Sequence, residues 1–309
     1  MEKTVYAQSS EVNLFPVSPM AKGYVVITFV LMIWTGFALS IRSIGASPLA
    51  TADVALLRFL VPVILLLPFT HRYLHEIRGA KALDVLLILL GGVPFFFVAS
   101  HGASLVPAAY VGTVLAGTPP FFVAVLGWLF YQHTSLSGRV SAKRIAALMM
   151  IVMGVVTMIV GQLDRVSGEF LQGVAVLLSA SLIWAIYTIR LKRSGLSPIA
   201  VTIMLSWCSL AITLALILSG SVTSHLGAFA FQDALPFILI QGFCVGLLST
   251  VGYSYAVRQL GSAQSSTIGS LSPGLTALVA VPVFGESLTI AIVGGICLTV
   301  AGVILSNRV

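Results

Sequence analysis

Ten apolar runs divide the chain, with short polar stretches between them. They cover about 23–41, 51–70, 84–101, 107–131, 141–161, 168–190, 197–219, 234–257, 262–284 and 287–306. A helix needs ~20 apolar residues to cross a bilayer core. The longer runs have room to tilt. Segments of ~10 residues in strict alternation, the mark of a membrane barrel strand, are absent. The pattern predicts an all-α polytopic membrane protein with ten transmembrane helices.

The pattern also repeats. Ile33-Trp34 recurs as Ile183-Trp184, and Gly45-Ala46-Ser47-Pro48-Leu49-Ala50 as Gly195-Leu196-Ser197-Pro198-Ile199-Ala200, both at an offset of 150 residues. Thr118-Pro119 is echoed by Ser272-Pro273 at an offset of 154. Five runs per copy is an odd number, so the second copy enters the membrane from the opposite side. The expectation is therefore two inverted five-helix repeats, a layout common among secondary transporters. The expected organisation is a flexible cytoplasmic tail (1–21), a first repeat (22–162) and a second repeat (163–309).

Composition agrees with a membrane bundle: 58% of residues are hydrophobic, 8% are charged, and the mean hydropathy is +1.08. That leaves too little polar surface for a soluble domain. A net charge of +7 would suggest nucleic acid in a soluble protein, but its placement says otherwise. With the N-terminus inside, 13 of the 16 Lys and Arg fall on the cytoplasmic side. Only Arg42 and Arg165 fall outside, and Arg58 lies within a run. This is the positive-inside bias, and it predicts cytoplasmic N- and C-termini. The expected macromolecular partner is the lipid bilayer, not nucleic acid. The first 20 residues hold no apolar stretch of signal-peptide type, so the first run is expected to be retained. Cys208, Cys244 and Cys297 lie inside runs, without metal-ligand spacing. They read as small apolar residues, and no metal or cofactor is expected.

The candidate chemistry sits where runs are interrupted. Pro119 and Pro273 fall near the middle of the fourth and ninth runs. A mid-helix proline removes one backbone hydrogen bond and presses on the preceding turn. Breaks at matching places in two inverted halves point to a binding site at the midplane. Thr118, Ser270 and Ser272 supply hydroxyls beside them. Trp34 and Trp184 are repeat mates, and Tyr187 shares the Trp184 helix face. Phe95 on the third run and Tyr253 on the eighth complete the aromatic candidates. His101 ends the third run and could titrate near neutral pH or meet a carboxylate. The expected substrate-binding set is thus Trp34, Phe95, His101, Thr118, Pro119, Trp184, Tyr187, Tyr253, Ser270, Ser272 and Pro273. Singly, each aromatic or proline is as readily explained by packing.

The ionisable residues narrow the cargo. Asp53, Asp84, Asp233 and Glu286 all lie near run ends, so no carboxylate is embedded for proton exchange. One buried cation is too few for phosphorylated substrates. Arg58 has three readings: it snorkels to the outer interface, pairs with Asp53, or lines the pathway. A structural role is the one expected. Gly242 and Gly246 form a G-x-x-x-G, and Gly112 with Ala116 a weaker version, both suited to close helix packing.

The chain resembles EamA-type members of the drug/metabolite transporter superfamily over nearly its whole length. The resemblance rests on Ile33-Trp34-Thr35-Gly36-Phe37, Arg58-Phe59, Ile183-Trp184-Ala185-Ile186-Tyr187, and the series Ser270-Leu271-Ser272-Pro273, Phe284-Gly285-Glu286, Gly294-Gly295 and Gly302. Gln132 departs from the family pattern, where a Glu is frequent. The resemblance implies ten spans, cytoplasmic termini, a bacterial inner-membrane location and export or exchange of small metabolites. Together with the missing charges, it suggests facilitated export of neutral or zwitterionic molecules, aromatic or hydrophobic amino acids above all. A proton-coupled drug/metabolite antiporter is the alternative. An intramembrane enzyme is disfavoured: there is no H-E-x-x-H, G-x-S-x-G or P-loop, and no catalytic residue is assigned. The sequence leaves the oligomeric state open, and a monomer would suffice.

Overall fold

The computed structural model describes residues 19–131, 142–161, 167–269 and 271–307. Among these residues the protein is all-helical. Eight helical segments are long and apolar enough to cross a membrane: Pro19–Ala46, Thr51–Arg78, Ala82–Leu105, Ala108–Leu129, Gly168–Ser194, Pro198–Leu218, Phe231–Leu260 and Ser262–Phe284. Two shorter apolar helices, Ile145–Val160 and Ile290–Ser306, complete the set. Among the described residues, every apolar run read from the sequence is therefore mainly helical. The chain is a multi-pass membrane protein.

Several spans are not single rods. The first is α1 (Pro19–Ser43), and the second is α2 (Thr51–Leu66) continued past Pro68 by α3 (Thr70–Arg78). The third splits into α4 (Ala82–Leu89) and α5 (Val93–Leu105). The fourth splits into α6 (Ala108–Gly117) and α7 (Pro119–Tyr131). Then follow α8 (Ala142–Val160), α9 (Gly168–Ser194) and α10 (Pro198–Leu218). The eighth span runs from α11 (Phe231–Phe237) through a π-helical segment (Ile238–Ser249) into α12 (Thr250–Leu260). The ninth splits into α13 (Ser262–Gly269) and α14 (Ser272–Phe284), and α15 (Ile290–Asn307) closes the bundle.

Local chemistry explains these boundaries. Ser167 Oγ accepts from Phe170 N–H at 3.1 Å, capping α9, and Gly195 ends that helix in the left-handed region (φ 68°). Ser197 Oγ likewise accepts from Ala200 N–H at 3.3 Å, and Pro198 supplies a preset φ to the first turn of α10. Pro119 cannot donate to the carbonyl one turn back, so α6 stops at Gly117. The Thr118 hydroxyl donates to the Val114 carbonyl at 2.7 Å and lies 2.7 Å from Ser181 Oγ on α9. Pro273 occupies the first turn of α14 in the same way. The third span breaks at Gly91-Gly92, just before Pro94, which the sequence reading treated as one continuous helix.

Cores are small-residue contacts and interdigitated aliphatics. One cluster joins Ile33, Phe37, Phe59, Phe96, Tyr110 and Leu177; a second joins Ile27, Ile88, Tyr187, Met204 and Tyr253. α8 and α15 pack against each other so closely that their backbones meet. A Cβ on Gly295 would stand 2.6 Å from the Gly154 carbonyl oxygen.

Buried or half-buried carboxylates tie distant helices by capping them. Asp53 accepts from Ala50 N–H (2.8 Å) at the start of its own helix. It also accepts from His225 N–H (2.9 Å) and Ser224 Oγ (2.5 Å) in the α10–α11 loop. Glu286, after α14, accepts from Ala108 N–H (2.8 Å) and Ala109 N–H (3.3 Å) at the start of α6. Glu76 on α3 accepts from the backbone N–H and the hydroxyl of Ser197. Each places a negative charge at the positive end of a helix dipole. Asp84 instead pairs with Arg190 at 3.3 Å.

Candidate functional site

A narrow cavity of about 50 Å³ lies where α1, α2, the α4–α5 break, α5, α6, α9, α10, α12, α14 and the π-helical segment converge. Its walls are mainly aromatic and aliphatic: Trp34, Phe37, Phe95, Trp184, Tyr187, Val111, Leu115, Leu205 and Val245. Ser249, Thr250 and Ser272 contribute hydroxyls, and Arg58 contributes the charge. No acidic side chain is among the described lining residues.

The aromatic side is one continuous assembly. Trp184 is its hub, with ring centroids 4.8 Å from Phe95, 4.8 Å from Tyr187, 5.3 Å from Tyr253 and 5.7 Å from Trp34. Phe37 stacks on Phe95 at 6.0 Å. The Trp34 indole N–H donates to Ser249 Oγ at 2.8 Å, which fixes its ring plane. Tyr253 OH and Thr188 Oγ1 are 3.0 Å apart. Backbone shape makes room for these rings. At the α4–α5 break, a Cβ on Gly91 would stand 2.7 Å from the Tyr187 ring, so only the bare backbone fits there.

The polar side is built on α2. Arg58 is 5% exposed, and its Nη1 donates to Gln241 Oε1 at 2.7 Å. Gln241 Nε2 in turn donates to Ser40 Oγ on α1 at 2.7 Å, and Ser40 donates to the Phe37 carbonyl at 2.9 Å. The guanidinium carbon lies 5.1 Å from the Phe37 ring centroid, 5.3 Å from Phe96 and 5.8 Å from Phe59. Three π faces thus surround a cation for which no carboxylate is within ion-pair distance among the described residues. Gln241 reaches Arg58 because the π-helical segment lies almost on α2. A Cβ on Gly242 would stand 2.6 Å from Val61, and Gly246 faces the Arg58 carbonyl itself. This is the close approach expected of the G-x-x-x-G. π-Helical stretches are rare and concentrate at functional sites.

Residues 171–308 match the model of the EamA-like transporter family. The match lies in the second half of the chain. Members of that family are membrane transporters. A solved structure described only as "Crystal structure of protein" shares the fold of this chain. It superposes with a TM-score of 0.60 at 16% identity, covering 93% of this chain and 97% of the other. No curated protein matches the sequence.

In this helical bundle, the residues singled out from the sequence separate into groups. Trp34, Phe95, Trp184 and Tyr187 line one cavity, with Ser272 beside them. Tyr253 is buried behind Trp34 and Trp184 and supports them. Thr118, Pro119 and Pro273 are buried at the two helix breaks and shape the wall from behind. Residues of α6 one to two turns before Pro119 face the cavity in their place: Gly112, Leu115 and Ala116. The breaks do meet, since a Cβ on Gly117 would lie 3.7 Å from Pro273 Cγ. His101 is exposed on α5 and lies outside the cavity lining. Ser270 lies outside the described residues, as does Gln132. The pairing of Arg58 with Asp53 does not occur. Asp53 is committed to backbone and hydroxyl donors at the end of α2.

Sequence reading missed Phe37 and Gln241. Phe37 stands three residues after Trp34, the same helical spacing that linked Trp184 to Tyr187, so its signal was present. Gln241 had no signal beyond being a polar residue in an apolar run.

Proposed function

We propose that this protein is a secondary carrier that exports neutral or zwitterionic metabolites, with aromatic or hydrophobic amino acids as its cargo. It works with ten spans in two inverted five-helix halves and both termini in the cytoplasm of a bacterial cell. The halves rock around the shared cavity, opening it to one side and then the other. The observation that carries the reading is the aromatic box of Trp34, Phe37, Phe95, Trp184 and Tyr187. It draws on α1, α5 and α9, beside the helix breaks in the fourth and ninth spans. Such a box suits a flat apolar side chain, by stacking and edge-to-face contacts, and the few hydroxyls suit a polar end.

Movement is proposed to be facilitated. Among the described residues the lining carries no carboxylate that could hold and release a proton on each cycle.

The test is counterflow of labelled L-phenylalanine in proteoliposomes. A carrier shows uptake accelerated by unlabelled substrate on the opposite side. Flux without trans-stimulation would instead describe a channel. Proton movement in fixed stoichiometry with phenylalanine would overturn the facilitated mechanism.

A further inference from the structure

We infer that Arg58 is the docking point for a substrate carboxylate, and that Gln241 holds its place while the cavity is empty of cargo. The inference rests on the carrier reading above and narrows its cargo. A carboxylate becomes a required part of the substrate, and an amine does not.

A buried cation in a membrane bundle is costly unless it is paired. Here the usual partner is missing. Asp53 lies five residues earlier on the same helix and is consumed by three other donors. Arg58 faces only neutral groups: the Gln241 amide oxygen and the rings of Phe37, Phe59 and Phe96. A guanidinium has five N–H donors in a planar fork, and Gln241 engages one nitrogen of that fork. The fork matches a carboxylate in two-point geometry, and charge-assisted bonds of this kind are about twice as strong as neutral ones. Low polarity around the site strengthens them further.

Placement fits the same ligand. Arg58 and the aromatic box line one cavity, and Phe37 joins them. The Phe37 ring lies under the guanidinium at 5.1 Å and stacks on Phe95 at 6.0 Å, which meets Trp184 at 4.8 Å. A ligand with its carboxylate at Arg58 lays its apolar end along Phe37 and Phe95 toward Trp184.

Gln241 gives binding a structural consequence. It bridges α2 and α1, accepting from Arg58 and donating to Ser40. It belongs to the π-helical segment that packs on α2 through Gly242 and Gly246. A carboxylate that takes the guanidinium displaces the amide oxygen and loosens this bridge. Occupancy is thereby sensed where α2, α1 and the eighth span meet.

The experiment measures binding to the purified full-length protein in lipid nanodiscs, by thermal shift and by intrinsic tryptophan fluorescence. Four probes are used: L-phenylalanine, 3-phenylpropanoate, 2-phenylethylamine and L-phenylalaninamide. The two carboxylates are expected to bind at least tenfold more tightly than the amine and the amide. Arg58→Gln should erase that preference. Gln241→Glu supplies an internal carboxylate, so it should stay folded and weaken both carboxylate probes at least tenfold. Equal binding of all four probes, or a preference that survives Arg58→Gln or Gln241→Glu, would overturn the inference while leaving the carrier reading in place. Failure of every probe to bind the unmodified protein would overturn the amino-acid reading and the docking point together. If Arg58→Gln does not fold, the Gln241→Glu result decides.

Discussion

Asp53 and Arg58 lie five residues apart on α2, both buried, with opposite charges and different fates. Asp53 is fully unexposed and accepts from two backbone N–H groups and one hydroxyl at a helix start. Its charge is spent on holding α2 to the α10–α11 loop. Arg58 is buried among rings and one amide, in the wall of a cavity. On a helix, five residues is about 500° of rotation and ~7.5 Å of rise. The two side chains therefore point apart and meet different neighbours. Buried charge is thus not one phenomenon: a charge whose bonds are all internal stabilises the fold, and one whose partners are neutral is open to a ligand.

The comparison breaks if the two residues behave alike. The largest effect is expected for Arg58→Ala. Counterflow of labelled L-phenylalanine should fall to the level of empty liposomes, while much of the protein remains folded by size-exclusion chromatography. Trp184→Ala comes next. Removing the hub of the aromatic box should cut transport about tenfold, which corresponds to ~1.4 kcal/mol of lost interaction, with the protein still folded. Asp53→Ala should act in the opposite way. It strands three donors and should destabilise the fold by about 3 kcal/mol, seen as a lowered midpoint of thermal unfolding. Transport per folded molecule and probe preference should be unchanged. Glu286→Gln keeps one acceptor for the start of α6 and removes the charge from the helix dipole. A loss of about 1 kcal/mol is expected, read in the same unfolding assay. His101→Ala should change neither quantity, and a loss of transport there would redraw the cavity.

Much of the fold was legible because lipid imposes a simple rule: apolar runs of helical length become spans. The breaks at Pro119 and Pro273 were legible too, since a missing backbone N–H has one consequence wherever it occurs. The break at Gly91-Gly92 was harder, because glycines permit a bend without requiring one. The π-helical segment left no trace in the hydropathy pattern, which is the same for either winding. In the candidate site, Trp34, Trp184 and Tyr187 were found through repetition and helical spacing. The Arg58–Gln241 contact was not, since it joins residues 183 positions apart and depends on how α2 meets the eighth span. His101 was a candidate from its place at the end of the third run, and it stands exposed on α5 outside the cavity lining.

The meeting of α8 and α15 has a consequence for how this sequence can vary. Where Gly154 and Gly295 cross, the space for a side chain is already filled by the facing backbone together with the Thr299 and Met158 side chains. Even if those side chains repack, an added methyl group still meets a carbonyl oxygen at 2.6 Å, and backbone cannot change rotamer as a side chain can. A saturation library selected only for folded protein should therefore reject even alanine at these two glycines. At exposed positions on the far side of α8, such as Met149 and Met153, the same library should accept almost any apolar residue. Along one helix, the permitted volume swings from nothing to nearly unlimited within half a turn.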